Sequence, residues 1–313
     1  MKKQTKRRRA ERVKRSALIV FMLAVCFLTY GSSSSNVKKI STIDNFSLTF
    51  VGQSFHNPEG LFYDKNRGQL YVADTGSNTV FVYNDEKPFL EIQEGIAFPK
   101  SIAVTSKGKL FVLEKEGKVK IFNAKRAVTG ALKFPDEGVS PVSITVDRKD
   151  NVYVLDKNKC KVIVFDKKET LVSQFGECGD KDGQFLSPED VTVDASGNVL
   201  VADSKRLSGT LQVFTSDGKF KYSFGKIGLH ETEFTQPAAV SVDRYGKIFV
   251  ADSSQHRIKV FLPGGSFLFQ FGAGVSTDIS FFAPVDIALN DAGRAYVLEK
   301  GANQLQVLQV NGQ

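Results

Sequence analysis

Apolar residues in this chain fall in short alternating runs, and the runs recur. The phrase Tyr71–Asp74 (YVAD) returns as Phe111–Glu114, Tyr153–Asp156, Leu200–Asp203, Phe249–Asp252 and Tyr296–Glu299, with steps of 40, 42, 47, 49 and 47 residues between the acids. A second phrase runs in phase with it. Pro58, Pro99, Pro141, Pro188, Pro237 and Pro284 each open a run such as VSITVD or DVTVD, and six of the nine prolines keep this register. A third phrase follows each acid: TVFVY, KVKIF, KVIVF, LQVF, IKVF and LQVL. Period-two alternation in Val-, Ile-, Phe- and Tyr-rich runs of this length spells strands. Turn signals such as Ser196-Gly197, Tyr245-Gly246, Asp217-Gly218 and Gly264-Gly265 separate the runs. A fourth strand reads as LVSQFG (171–176), KYSFG (221–225) and LFQFG (268–272).

Four short antiparallel strands per unit, repeated at this period, predict an all-β, six-bladed β-propeller over residues 43–313. The last unit is one strand short. The orphan segment 43–51, with Phe46, Leu48 and Phe50 alternating against Ser47 and Thr49, is expected to supply that strand and close the ring.

The N-terminus follows a different pattern. A basic tail, 1–16, precedes an apolar segment, 17–31, and a Ser-rich linker, 32–42. A basic stretch before an apolar one is an export address, with the positive charges left in the cytoplasm. The fourteen apolar residues Ala17–Tyr30 would span about 21 Å as a helix, short against about 30 Å of hydrocarbon. An uncleaved signal anchor, a cleaved signal peptide and a lipoprotein anchor at Cys26 all remain open. Each places the propeller outside the cytoplasm, in the periplasm or at the cell surface.

Charge separates the two parts. The chain carries a net +8, but residues 1–39 hold eleven Lys/Arg against one acid, which leaves residues 40–313 at −2. A near-neutral body gives no electrostatic footprint for nucleic acid. Three scattered His and three Cys exclude a disulfide-dense scaffold and four-Cys zinc sites. In a hairpin turning near 167–168, Cys160 lies opposite about residue 175, three short of Cys178, so free thiols are expected.

At these phrases the chain resembles the NHL-repeat family. The fifth unit, Phe234–Pro237 followed by VSVDRYGKIFVADSSQHRIKVF, carries the resemblance best, and the fourth, Leu186–Pro188 with VTVDASGNVLVADS, nearly as well. The resemblance spans roughly residues 50–310. It implies a binding or scaffold propeller; some members bind RNA, and a related lyase class runs metal chemistry in the ring.

Two sets of residues are candidates. Asp74, Glu114, Asp156, Asp203, Asp252 and Glu299 occur in every unit, and are read as structural acids whose carboxylates accept backbone N–H bonds. Function is sought where the repeat breaks, in the two residues after each proline. There Glu59, Glu189, Asp190 and Asp286, with Lys100, are expected to converge on one mouth of the central channel. Oxygen ligands alone suit calcium; otherwise no cofactor is expected. No catalytic residue or motif is evident, and no enzyme is expected. The expected function is therefore a membrane-tethered, monomeric binding, scaffold or sensor propeller for a protein or cell-envelope ligand. The alternatives are a metal-assisted hydrolase or lyase in the channel, and an RNA-binding propeller.

Overall fold

The computed structural model describes the backbone of residues 41–42 and residues 55–84, 86–275 and 279–310. They form six antiparallel blades. In blade 4 the inner strand Pro188–Val193 pairs with Val199–Asp203, then Ser208–Phe214, then the outer strand Phe220–Ile227. The inner strands of the other blades are Pro58–Asp64, Pro99–Val104, Pro141–Val146, Pro237–Val242 and Pro284–Leu289. All six in-phase prolines thus start inner strands. Proline suits that position because it lacks the N–H that a strand interior would need.

In blade 6 the two residues Ser41–Thr42 run antiparallel to Gln304–Gln309, opposite Gln309 and Leu308. The segment to which the sequence assigns this role, 43–51, lies outside the described residues. So does the apolar run 17–30. Among the described residues no helix is long and apolar enough to cross a membrane.

Each blade buries both faces against its neighbours, so the core is six separate clusters, one at each junction. The junction of blades 6 and 1 holds Leu61, Val72, Tyr296 and Leu298, with Tyr63 stacked on Tyr296 at 5.5 Å. That of blades 4 and 5 is built on Leu200, Val213, Phe234, Val250 and Phe261.

The six repeat acids end the second strands, and all are buried. Each reaches back to the loop leading into its own blade. Asp74 accepts from His56 N (2.8 Å), Glu114 from Ala97 N (2.7 Å), Asp156 from Ser140 N (2.9 Å) and Glu299 from Phe282 N (2.5 Å). Asp203 accepts from Leu186 N and Ser187 N (2.6 and 2.8 Å), and Asp252 from Thr235 N and Gln236 N (2.9 and 3.1 Å). Asp156, Asp203 and Asp252 also cap the turn that follows, through the N–H groups of Asn158, Lys205 and Gln255. The same loops are held a second time from the third strands. Lys120 donates to Gly95 O, Gln212 to Gln184 O, Lys259 to His230 O and Gln306 to Ser280 O. Burial pushes the Lys259 ammonium down to about 8; the carbonyls of His230 and Glu233 and the face of Phe234 are its partners.

One sequence expectation is overturned here. Cys160 and Cys178 are joined in a disulfide, with their Cα atoms 5.0 Å apart. The hairpin register sets Val162 opposite Phe175, two residues away from the pairing that the spacing suggests, so Cys160 falls opposite about residue 177. Beyond it, Gly176 takes a left-handed conformation (φ 92°) and turns the chain back, which brings Cys178 over Cys160.

Asp203→Ala removes the acceptor of two buried N–H groups. It is expected to lower stability by about 1–3 kcal/mol while leaving the ligand affinity of the folded protein unchanged. Thermal or urea unfolding measured beside a binding isotherm checks this.

Candidate functional site

Every inner strand carries a bulge at the same place. Its register shifts between the proline and the second residue after it, so the first residue after the proline is an extra one. The bulge separates two neighbours that the sequence reading places together at one mouth of the channel. Gly60, Ser101, Ser143, Asp190, Ala239 and Asp286 follow it; Glu59, Lys100, Val142, Glu189, Ala238 and Val285 are the extra residues.

The first set tie inner strands together. Ser101 Oγ accepts from Ile144 N (3.3 Å), Ser143 Oγ from Val191 N (3.4 Å), Asp190 Oδ2 from Val240 N (2.8 Å) and Asp286 Oδ2 from Leu61 N (2.6 Å). Each time, the acceptor in one blade takes the N–H three residues beyond the proline of the next. At Gly60 there is no room for a side chain, because a Cβ would meet Lys100 O at 2.4 Å.

Asp190 and Asp286 line a channel cavity of 590 Å³ that also exposes Ser101 and Ser143 and extends to the turns after the inner strands. Asp64, Asp147, Asp194 and Asp243 stand at that far end. There they cap their own turns, as in Asp194 Oδ1 with Ser196 N and Asn198 N (both 2.8 Å). The two channel carboxylates are half-buried in the channel wall. Burial raises both pKa values, that of Asp190 to about 6, and the Asp190 charge pushes Asp286 further up. Hydrogen bonds from Ser143 and from Val240 N pull Asp190 partly back. Among the described residues no group of three His, Cys, Asp or Glu side chains is placed to hold a metal ion.

Glu59, Lys100 and Glu189 lie outside this cavity, on the face where the proline loops sit. The turns between second and third strands share that face. Lys115 N, Lys157 N, Ser204 N, Ser253 N and Lys300 N each donate to the carbonyl just before a proline. Two of these turn residues complete the site and were missed in the sequence. Lys157 Nζ binds Glu189 (2.7 and 2.9 Å), and Lys300 Nζ binds Glu59 (2.6 Å). Glu189 also accepts from Ser187 Oγ and Ser204 Oγ, and Glu59 from Asn57 Nδ2. The signal was present: a Lys follows the repeat acid in blades 2, 3 and 6, where blades 1, 4 and 5 have Thr or Ser. Burial lowers the pKa of Lys100, opposed by Glu59 and Glu189. On this face His256 Nδ1 accepts from Ala283 N (2.9 Å) and its ring stacks on Phe282 at 5.6 Å.

Serine does the work of Asp190 at positions 101 and 143, so Asp190→Ser keeps an acceptor and removes a buried charge. A carboxyl whose folded pKa is raised contributes most below its unfolded pKa, about 3.9, and loses that contribution as pH rises through about 6. Asp190→Ser should therefore stabilise the propeller at pH 7.5, on the order of 1–2 kcal/mol. It should also shrink the gain that the wild type makes between pH 7.5 and 5. Melting curves of both proteins at the two pH values check this.

The NHL repeat profile matches residues 55–83 and 234–261, which lie in blade 1 and in blade 5 with the loop before it. Protein brain tumor of Drosophila melanogaster is 29% identical over 94 residues, which is 28% of this chain and 9% of that protein. The chain thus spans a small part of that relative. Among solved structures, a Bacteroides thetaiotaomicron protein of unknown function superposes with a TM-score of 0.67 at 17% identity, covering 87% of this chain and 76% of the other. A gluconolactonase from Xanthomonas campestris superposes at 0.63 with 16% identity, over 82% and 87% of the two chains. Identities this low show the shared fold alone. The chain is thus a six-bladed β-propeller that carries NHL repeat matches at residues 55–83 and 234–261.

Proposed function

We propose that this chain is a membrane-tethered, extracytoplasmic propeller that binds a macromolecular partner on its proline-loop face. The observation that carries this reading is the apolar surface there. Phe98 (47% exposed), Leu186 (44%), Leu207 (81%), Leu229 (75%) and Phe282 (58%) all stand on loops of that face. Large apolar side chains gathered around a charged centre are the usual build of an interface.

Two features support the extracytoplasmic setting. The Cys160–Cys178 bridge persists where the compartment is oxidising. The basic-then-apolar order of residues 2–30 is an export address. The near-neutral body argues against RNA as the partner.

Two experiments test the proposal. Residues 1–40 fused to a reporter should carry it across the membrane; a reporter left in the cytoplasm overturns the localisation. The full chain should capture its partner from envelope fractions, with Leu207→Arg and Phe282→Arg each lowering capture at least about tenfold. Tyr245→Arg and Leu262→Arg, in turns of the opposite face, should leave capture unchanged. The reverse pattern places the partner on the other face.

A further inference from the structure

We infer that the channel mouth on the proline-loop face captures the free carboxylate at the end of a polypeptide, with Lys100 as its anchor. This rests on the proposed binding face and names what that face recognises. The argument begins with charge. Three ammonium groups, Lys100, Lys157 and Lys300, and two carboxylates, Glu59 and Glu189, interact at this mouth. Lys157 is taken by Glu189 and Lys300 by Glu59. Both carboxylates accept further hydrogen bonds, from Ser187 and Ser204 and from Asn57. Among the described residues Lys100 has no hydrogen-bond or ion-pair partner, although it is half-buried. A partly desolvated cation without a partner is costly, and an incoming anion repays that cost with charge-assisted bonds. The cluster is one positive charge in excess, so a single carboxylate neutralises it.

The surroundings select the rest of the ligand. Phe98 stands two residues from Lys100, Leu186 three from Glu189, and Phe282 packs over Gly301 beside Lys300. With Leu207 and Leu229, these apolar groups span the loops of several blades, a wider footprint than a small acid covers. A chain end suits this arrangement, its carboxylate on Lys100 and its preceding apolar side chains on the exposed rim. The mouth also excludes a cationic end, because Glu59 and Glu189 are already bonded.

The test uses the immobilised full chain and a pool of N-acetylated hexapeptides, randomised but ending in an apolar residue, as free acids and as C-terminal amides. Free acids should be retained roughly tenfold over amides, the scale of a hydrogen bond to a charged group. Lys100→Met should abolish that preference and Lys100→Arg should restore it, with melting curves confirming that both variants fold. Equal retention of acids and amides, no retention of either, or a preference that survives in Lys100→Met overturns the inference. Partner capture that depends on Leu207 and Phe282 without any acid preference leaves the binding face standing and removes only the carboxylate.

Discussion

Everything in this ring hangs on a buried carboxylate that holds a loop sixteen to eighteen residues upstream. Asp203 shows why. Its two oxygens accept Leu186 N and Ser187 N, and through them fix where Pro188 starts the inner strand. They also hold Lys205 N, and so shape the turn into the third strand. One side chain thereby joins the beginning of a blade to its middle. Buried N–H groups left without acceptors would cost too much for the loops to stay in place by packing alone. Repeated in six blades, the bond sets the proline loops on one face and aligns the six bulges around the axis.

The strands were legible in the sequence because alternation and proline placement are local. Inner strands begin at the six prolines, and the acids are buried where the repeat phrase ends. What the sequence hid was geometry between adjacent residues. Glu189 and Asp190 are neighbours, yet the bulge leaves Asp190 in the channel and Glu189 on the face with Lys157. The disulfide was hidden for a similar reason: the ladder runs two residues out of the register that the turn position suggests, which sets Cys160 opposite about residue 177, and the left-handed Gly176 brings Cys178 over it. Nor does any repeat phrase mark Gln212, Lys259 and Gln306 as loop holders, since the same position in blade 1 is Phe81 and in blade 3 Ile163.

Asp190 and Asp286 run against the economy of the rest. Ser101 and Ser143 make the same inter-blade bond without a charge, and Gly60 and Ala239 occupy the position with no side-chain oxygen at all. A buried carboxylate at this position carries a desolvation cost that serine avoids, and a pair of them adds mutual repulsion. Structure alone therefore explains an acceptor at positions 190 and 286, but not an acid. The channel is left with carboxylates in its interior and more at its far end, while the proline-loop mouth carries the lysines.

The bulge explains how a repeat this regular leaves room for function. The residue it adds pairs with nothing across the ladder, so no ladder bond fixes its side chain; Val142 and Val285 pack against the core at their junctions, while Glu59, Lys100 and Glu189 are polar. In this chain the six extra residues are Glu59, Lys100, Val142, Glu189, Ala238 and Val285, a wider spread of chemistry than at the acid position, which is Asp or Glu throughout. Freedom at one position and constraint at another are both visible within a single chain. Lysines 157 and 300 extend the same logic. They follow the constrained acid, where only the backbone N–H is committed, to the carbonyl before the proline. Their side chains are left to reach Glu189 and Glu59 across a blade junction. A site assembled from such uncommitted positions can change its ligand without disturbing the bonds that hold the blades, which is how one fold comes to serve unrelated functions.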